Sequence, residues 1–209
     1  MRVGRGLLLL LFFCLLSVLP SSGTVEQIAS ASVDKPGSPF SQPARVGERF
    51  LDLRNYLFRI AERHGWSVVV AQDVNSNVKE VHGKTVADAL KAYLHGSEFS
   101  YRLYDNVLYV ADNRRLKKFF EELPADTMML PKGKNEVTIS GIFQGIDIAI
   151  LFKMLRGLTG IEIRSSDDLR ATLMLRLIKM PWKTLVVAIV RLNDYKLIRS
   201  EFSVLVAKQ

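Results

Sequence analysis

Cysteine is nearly missing from this chain. Cys14 is the single one among 209 residues, and it lies inside an apolar leader. The folded part therefore has no disulfide, no thiolate metal site and no cysteine nucleophile. Histidine is scarce as well. His64, His82 and His95 stand at spacings that fit no zinc pattern, and there is no His-Glu-x-x-His. There is no Gly-x-Ser-x-Gly elbow, no phosphate loop and no Gly-x-Gly-x-x-Gly fingerprint. Gly157 and Gly160 follow a helical stripe, whereas a nucleotide loop has to precede a helix. The adjacent carboxylates Asp167-Asp168 and Glu121-Glu122 read as solvated turn and helix positions. No catalytic residue, cofactor or metal is expected. Beyond the leader, no run is long and apolar enough to span a bilayer.

The leader has the three regions of an export signal. Arg2 and Arg5 supply positive charge, and residues 7–16 form an apolar run. Its length fits the roughly 7–15 residues of a signal core and falls short of the ~18 needed to cross a membrane. Pro20 breaks the run. Ser21-Ser22-Gly23 places small residues for cleavage before Thr24, and Ala29-Ser30-Ala31 offers a second site. Phe12 and Phe13 stand where a lipoprotein signal has small residues, so lipidation at Cys14 is not expected. Export without cysteine fits a bacterial periplasm, with association to the outer membrane as the expected site of action. Cleavage leaves 209 − 23 = 186 residues and lowers the formal charge from +8 to +6, since Arg2 and Arg5 are lost. That balance favours acidic partners or anionic surfaces. Nucleic acid is not an expected partner of an exported protein.

What the chain does have is a partly hidden duplication. Gly65 and Gly160 each end a helical stripe, and 160 − 65 = 95. Asp73 and Asp168 each lead a turn, again 95 apart. After one inserted residue, Leu90 meets Val186 and Val110 meets Val206, both at 96. A period of this length exceeds the roughly 20–50 residues of solenoid repeats. It points to two copies of one small α+β module, each with two helices packed on a small mixed sheet.

The chain divides into a leader (1–23), a flexible linker (24–48), a first module (49–111), a connector (112–136) and a second, divergent copy (137–209). Pro36, Gly37, Pro39, Pro43 and Gly47 crowd the linker and deny it a buried face. In the first module, Leu53, Leu57, Ile60 and Ala61 form one helical stripe. Residues 66–70 are β-rich, and a short strand is expected over 78–82. Thr85 and Asp88 resemble a capping box opening a helix with Val86, Ala89, Leu90, Tyr93 and Leu94 inward. Asp105-Asn106 predicts a tight hairpin with Tyr101, Leu103, Leu108 and Val110 inward. In the second copy, Asp147 is an N-cap, and Ile148, Leu151, Phe152, Leu155 and Leu158 form the stripe. Pro181 starts a helix lined by Trp182, Leu185, Val186, Ile189 and Val190. Trp66 and Trp182 read as packing residues.

The connector carries Arg114, Arg115, Lys117 and Lys118. Leu116, Phe119, Phe120 and Leu123 predict a short amphipathic helix that Pro124 stops. A solvated helix face is the plain reading of the four basic residues. The sharper one is contact with an acidic partner or with anionic headgroups at a membrane surface.

The run Ile60-Ala61-Glu62-Arg63-His64-Gly65-Trp66-Ser67-Val68-Val69-Val70, then Asp73-Val74, Val86-Ala87-Asp88-Ala89-Leu90 and Asn106-Val107-Leu108-Tyr109-Val110, resembles the short N-terminal domain of bacterial secretins and TonB-dependent signalling receptors. Leu158-Thr159-Gly160-Ile161-Glu162-Ile163, Asp168-Leu169 and Pro181-Trp182-Lys183-Thr184-Leu185 resemble it more distantly. The second copy departs at its last hairpin, where Ser200-Glu201 replaces Asp-Asn. The resemblance implies a periplasmic protein-interaction module of an outer-membrane assembly, with envelope proteins as partners and a ring as an expected oligomer. It brings no catalytic residues. Because the chain reaches Gln209 without a membrane-spanning β region, the expectation is an accessory part of a secretion, pilus or uptake machine rather than a pore or receptor. Two other readings stand beside it: a periplasmic protein binding peptidoglycan or a small molecule, and a hydrolase. A deep apolar pocket would favour the first of these, and open sheet edges would favour the interaction module.

Overall fold

The elements run α1 (Leu53–His64), β1 (Ser67–Val70), α2 (Val86–Leu94), β2 (Phe99–Tyr104), β3 (Val107–Asp112), α3 (Asn113–Met129), β4 (Thr138–Asp147), α4 (Ile148–Thr159), β5 (Glu162–Ser165), β6 (Thr172–Pro181), α5 (Trp182–Leu192), β7 (Tyr195–Arg199) and β8 (Ser203–Lys208). The structure, a computed structural model, describes residues 39–41, 52–74, 85–132 and 136–209. The expected export leader, most of the expected linker, the strand expected over 78–82 and His82 lie outside the described residues.

The helix boundaries follow local chemistry. Asp52 and Asp147 cap α1 and α4, accepting from the backbone N–H of Asn55 and Ala149. Gly65 and Gly160 end the same helices at φ 67° and 71°, in the left-handed region that glycine enters without strain. Thr85 and Asp88 complete a reciprocal capping box on α2.

The fold is α+β, with two mixed sheets. Five strands stand in the order β2-β3-β1-β6-β4, and three in the order β5-β8-β7. Within each copy three strands repeat one arrangement. β1 runs parallel to β3 and β2 antiparallel to it, just as β5 runs parallel to β8 and β7 antiparallel to it. Their registers coincide. Ser67 faces Val107 and Glu162 faces Ser203, so 162 − 67 = 95 and 203 − 107 = 96. The hairpins differ in their turns. Asp105 and Asn106 take φ 49° and 58°, as the tight Asp-Asn turn requires. In the second copy the Ser200 N–H donates to the Ser203 carbonyl over 2.9 Å, and no residue of that turn has positive φ.

The core is continuous across the copies. Leu57, Ile60, Leu90 and Leu94 are buried with Leu151, Leu155, Leu185 and Ile189 in one cluster, and both tryptophans are buried in it. β1 joins the copies directly by pairing antiparallel with β6, Val68 to Arg176 and Val69 to Leu175. The buried Ser67 Oγ accepts the Ile178 N–H at 2.8 Å, where β6 bends and Lys179 takes φ 48°.

Three expectations are corrected. Pro124 does not stop the connector helix, because α3 runs on through it to Met129. Proline removes the hydrogen bond to the Phe120 carbonyl, but the far half of α3 is held from outside. Arg191 of α5 grips Asp126 with Nε at 2.7 Å and NH2 at 3.1 Å, and pairs with Glu122 at 2.9 Å. Leu158 is not in the core. It is 54% exposed, in line with Ile150 and Met154 on the solvent side of α4. β3 is buried on both faces rather than one, because α3 lies over its second face. Tyr109 packs there against Phe119 and Phe120, at centroid distances of 4.9 and 5.4 Å.

Candidate interaction surfaces

The four basic residues of α3 do not act as one patch. Arg115 is buried and turns inward. It donates to Asp73 Oδ2 at 2.6 Å and to the Leu192 carbonyl at 2.9 Å. This corrects its assignment as a partner contact: the helix phase that puts Leu116 and Phe119 in the core also carries Arg115 towards the Gln72–Asp73 turn. Arg114 is 82% exposed and pairs with Asp194 at 3.4 Å. Lys117 and Lys118 are exposed. Three of the four cations therefore face solvent, and one ties the copies together.

The turn that Arg115 reaches is a junction. The Gln72 N–H donates to Asn193 Oδ1 at 2.6 Å, and the Tyr195 hydroxyl donates to Gln72 Oε1 at 2.8 Å. Arg54 binds the Gln72 and Val74 carbonyls. Sequence reasoning placed the Asp-led turn but gave no sign of its partners, which lie up to 123 positions away.

The five-stranded sheet ends in β2 and β4. β4 is ten residues long and mostly exposed or half-exposed. Ile142 on it is 57% exposed. Two irregularities, between Ile139 and Gly141 and between Gln144 and Ile146, interrupt its pairing with β6. Such bulges guard an edge against indiscriminate pairing. On α4, Ile150, Met154 and Leu158 form a second exposed apolar stripe, with Lys153 and Arg156 beside it. Glu162 links Arg156, at 2.9 Å, to Arg164, at 2.6 Å. Hydrogen bonds from Arg164 and then Arg156 hold its carboxyl below the ordinary range.

A cleft of about 510 Å³ lies between the Asp105-Asn106 hairpin, α3 and the bend of β6. Ser67, Asp105, Thr127 and Lys179 contribute its polar groups, and Leu123, Pro124 and Met180 its apolar wall. Tyr109 also lines it; burial, followed by the nearby Asp105 and Tyr104, raises its phenol above the ordinary value. His64 stacks on Trp66, with centroids 4.7 Å apart and planes 23° apart. Burial and then Arg63 lower its pKa. Among the described residues, no group of three histidine, cysteine or carboxylate side chains is placed to hold a metal. No described helix is long and apolar enough to cross a membrane. Comparison with known protein families and with curated proteins finds no match.

Proposed function

We propose that this chain is a periplasmic protein-interaction module, an accessory or ring component of a secretin-like (secretion or type IV pilus) or TonB-linked outer-membrane assembly. The observation that carries the reading is the strand triplet that recurs in both sheets, together with the exposed strand β4 at the edge of the larger one. An edge strand offers unpaired N–H and C=O groups to a partner strand, and its bulges restrict which strand fits. The net positive charge and the exposed Arg114, Lys117 and Lys118 favour an acidic partner. The leader and the sequence resemblance support an envelope location.

A photo-reactive residue in place of Ile142 or Gln144, in cells exporting the full chain, tests this. Adducts with envelope proteins are expected. Export without adducts at any exposed position, together with turnover of a substrate by the pure protein, would remove the reading. A second reading, binding of a peptidoglycan fragment or small molecule, draws on the cleft at Asp105 and Lys179. Titration calorimetry with muropeptides decides it: heat lost on Lys179→Ala favours that reading, and no heat dismisses it.

A further inference from the structure

The two copies differ in what covers the same sheet face. In the first copy, Val69, Tyr109 and Arg102 stand in one row across β1, β3 and β2. Adding 95, 96 and 96 gives Arg164, Leu205 and Ile198, which stand in one row across β5, β8 and β7. The first row is covered. Val69 and Tyr109 are each 1% exposed. Phe119 and Phe120 of α3 lie against Tyr109, and the Arg102 guanidinium sits 4.1 Å above the Phe120 ring. The second row is open. Ile198 is 43% exposed, Arg164 is exposed and Leu205 is half-exposed. The opposite face of the same strands, with Ile163, Val204 and Val206, is buried as usual.

We infer that this outer face of β5-β8-β7 is a dock for one amphipathic helix of a partner protein, with apolar or aromatic residues at i, i+3 and i+4 and carboxylates on its flanks. The inference rests on the interaction-module reading and names a surface for it. The first copy shows what such a face takes, since Leu116, Phe119 and Phe120 of α3 have that spacing. Width agrees. Three strands at about 4.8 Å spacing present a strip about 10 Å across, close to the diameter of a helix. Charge selects the flanks. Lys196 lies on the face with Arg164 and Glu162, and Glu162 is shared between Arg164 and Arg156, so the strip and its border keep a positive balance. The α3 helix of a second copy is not the occupant, because its apolar side is buried at home and its first turns are basic.

The probe is a 17-residue peptide with the sequence of α3 and glutamate at each of its four basic positions. Added to the full exported chain, it should shift amide resonances of residues 162–165, 195–199 and 203–208 in a saturable way. Ile198→Glu changes an exposed residue and should leave the spectrum folded, while weakening the peptide by at least about tenfold through unfavourable charge and lost apolar contact. The unmodified, basic α3 peptide should bind more weakly, with the gap narrowing as salt rises. Shifts confined to the α4 stripe or to β4, equal binding by Ile198→Glu, or no saturable shift would each overturn the dock. A photo-reactive residue at position 198 in cells separates this from the broader reading. Adducts at 142 but not at 198 remove the dock and leave the module, whereas absence of adducts at every exposed position, with turnover of a substrate by the pure protein, removes the module too.

Discussion

Arg115 and Asp73 meet at 2.6 Å between the connector helix and the first copy, with the arginine buried and the aspartate exposed. The pair is an anchor rather than a surface contact. The Leu192 carbonyl shares the same guanidinium. Arg115→Met should therefore destabilise the protein by about 1–3 kcal/mol, because a buried acceptor is left unsatisfied. Reversing Arg114, Lys117 and Lys118 together should move stability by only about 0.5 kcal/mol per site, as at ordinary surface positions. Urea denaturation of the variants checks both. Equal losses would show that Arg115 is no anchor.

The buried stripes set a second contrast. Leu90 is fully buried in α2, so Leu90→Ala should cost about 2–5 kcal/mol. Leu158→Ala, at a position 54% exposed, should cost within about 0.5 kcal/mol. Thermal and chemical denaturation give the order directly, and a Leu158 loss as large as that of Leu90 would refute the described face of α4.

These contrasts mark what could be read from the chain. The caps at Thr85, Gly65, Asp147 and Gly160 depend on neighbours within a few positions, and their residue types announce them. The inward stripes of α1, α2 and α5 follow from helical spacing. The burial of Arg115 could not be read, because it is decided by Asp73 and Leu192, 42 and 77 positions away. The passage of α3 through Pro124 depends on Arg191, which local breaker chemistry cannot reveal. The docking face needed both: the repeat register came from sequence, but only the packing of Phe119 on Tyr109 showed that one copy is covered.

Pro124 is exposed, and its helix is held by other contacts. Pro124→Ala restores an N–H for the Phe120 carbonyl without emptying the core. Stability should rise, by up to about 3 kcal/mol and less if the freer unfolded chain offsets it. Calorimetric melting measures this. A fall would mean that proline shapes the wall of the cleft.

His64 supplies a pH dependence. Its folded-state pKa lies below the ordinary 6.5 because of burial and Arg63. The unfolded chain therefore takes up the proton first as pH falls. Stability should drop from about pH 7.5 down towards the folded-state value and flatten below it. Folding curves across that range should lose this slope in His64→Phe, and the imidazole resonances of wild type should titrate below 6.5. A titration at or above 6.5 would remove the effect.

The pairing of β1 with β6 has a mechanical consequence. A linker between two domains yields by bending, but these copies are joined by strand hydrogen bonds and by the Gln72–Asp73 junction. Force on one copy has to shear those bonds before the other can turn. The covered face of β1-β3-β2 is thereby held at a fixed angle to the second copy, which carries the open face of β5-β8-β7 and the exposed strand β4. A partner gripping both would be held in one orientation, as by a bracket rather than by a hinge.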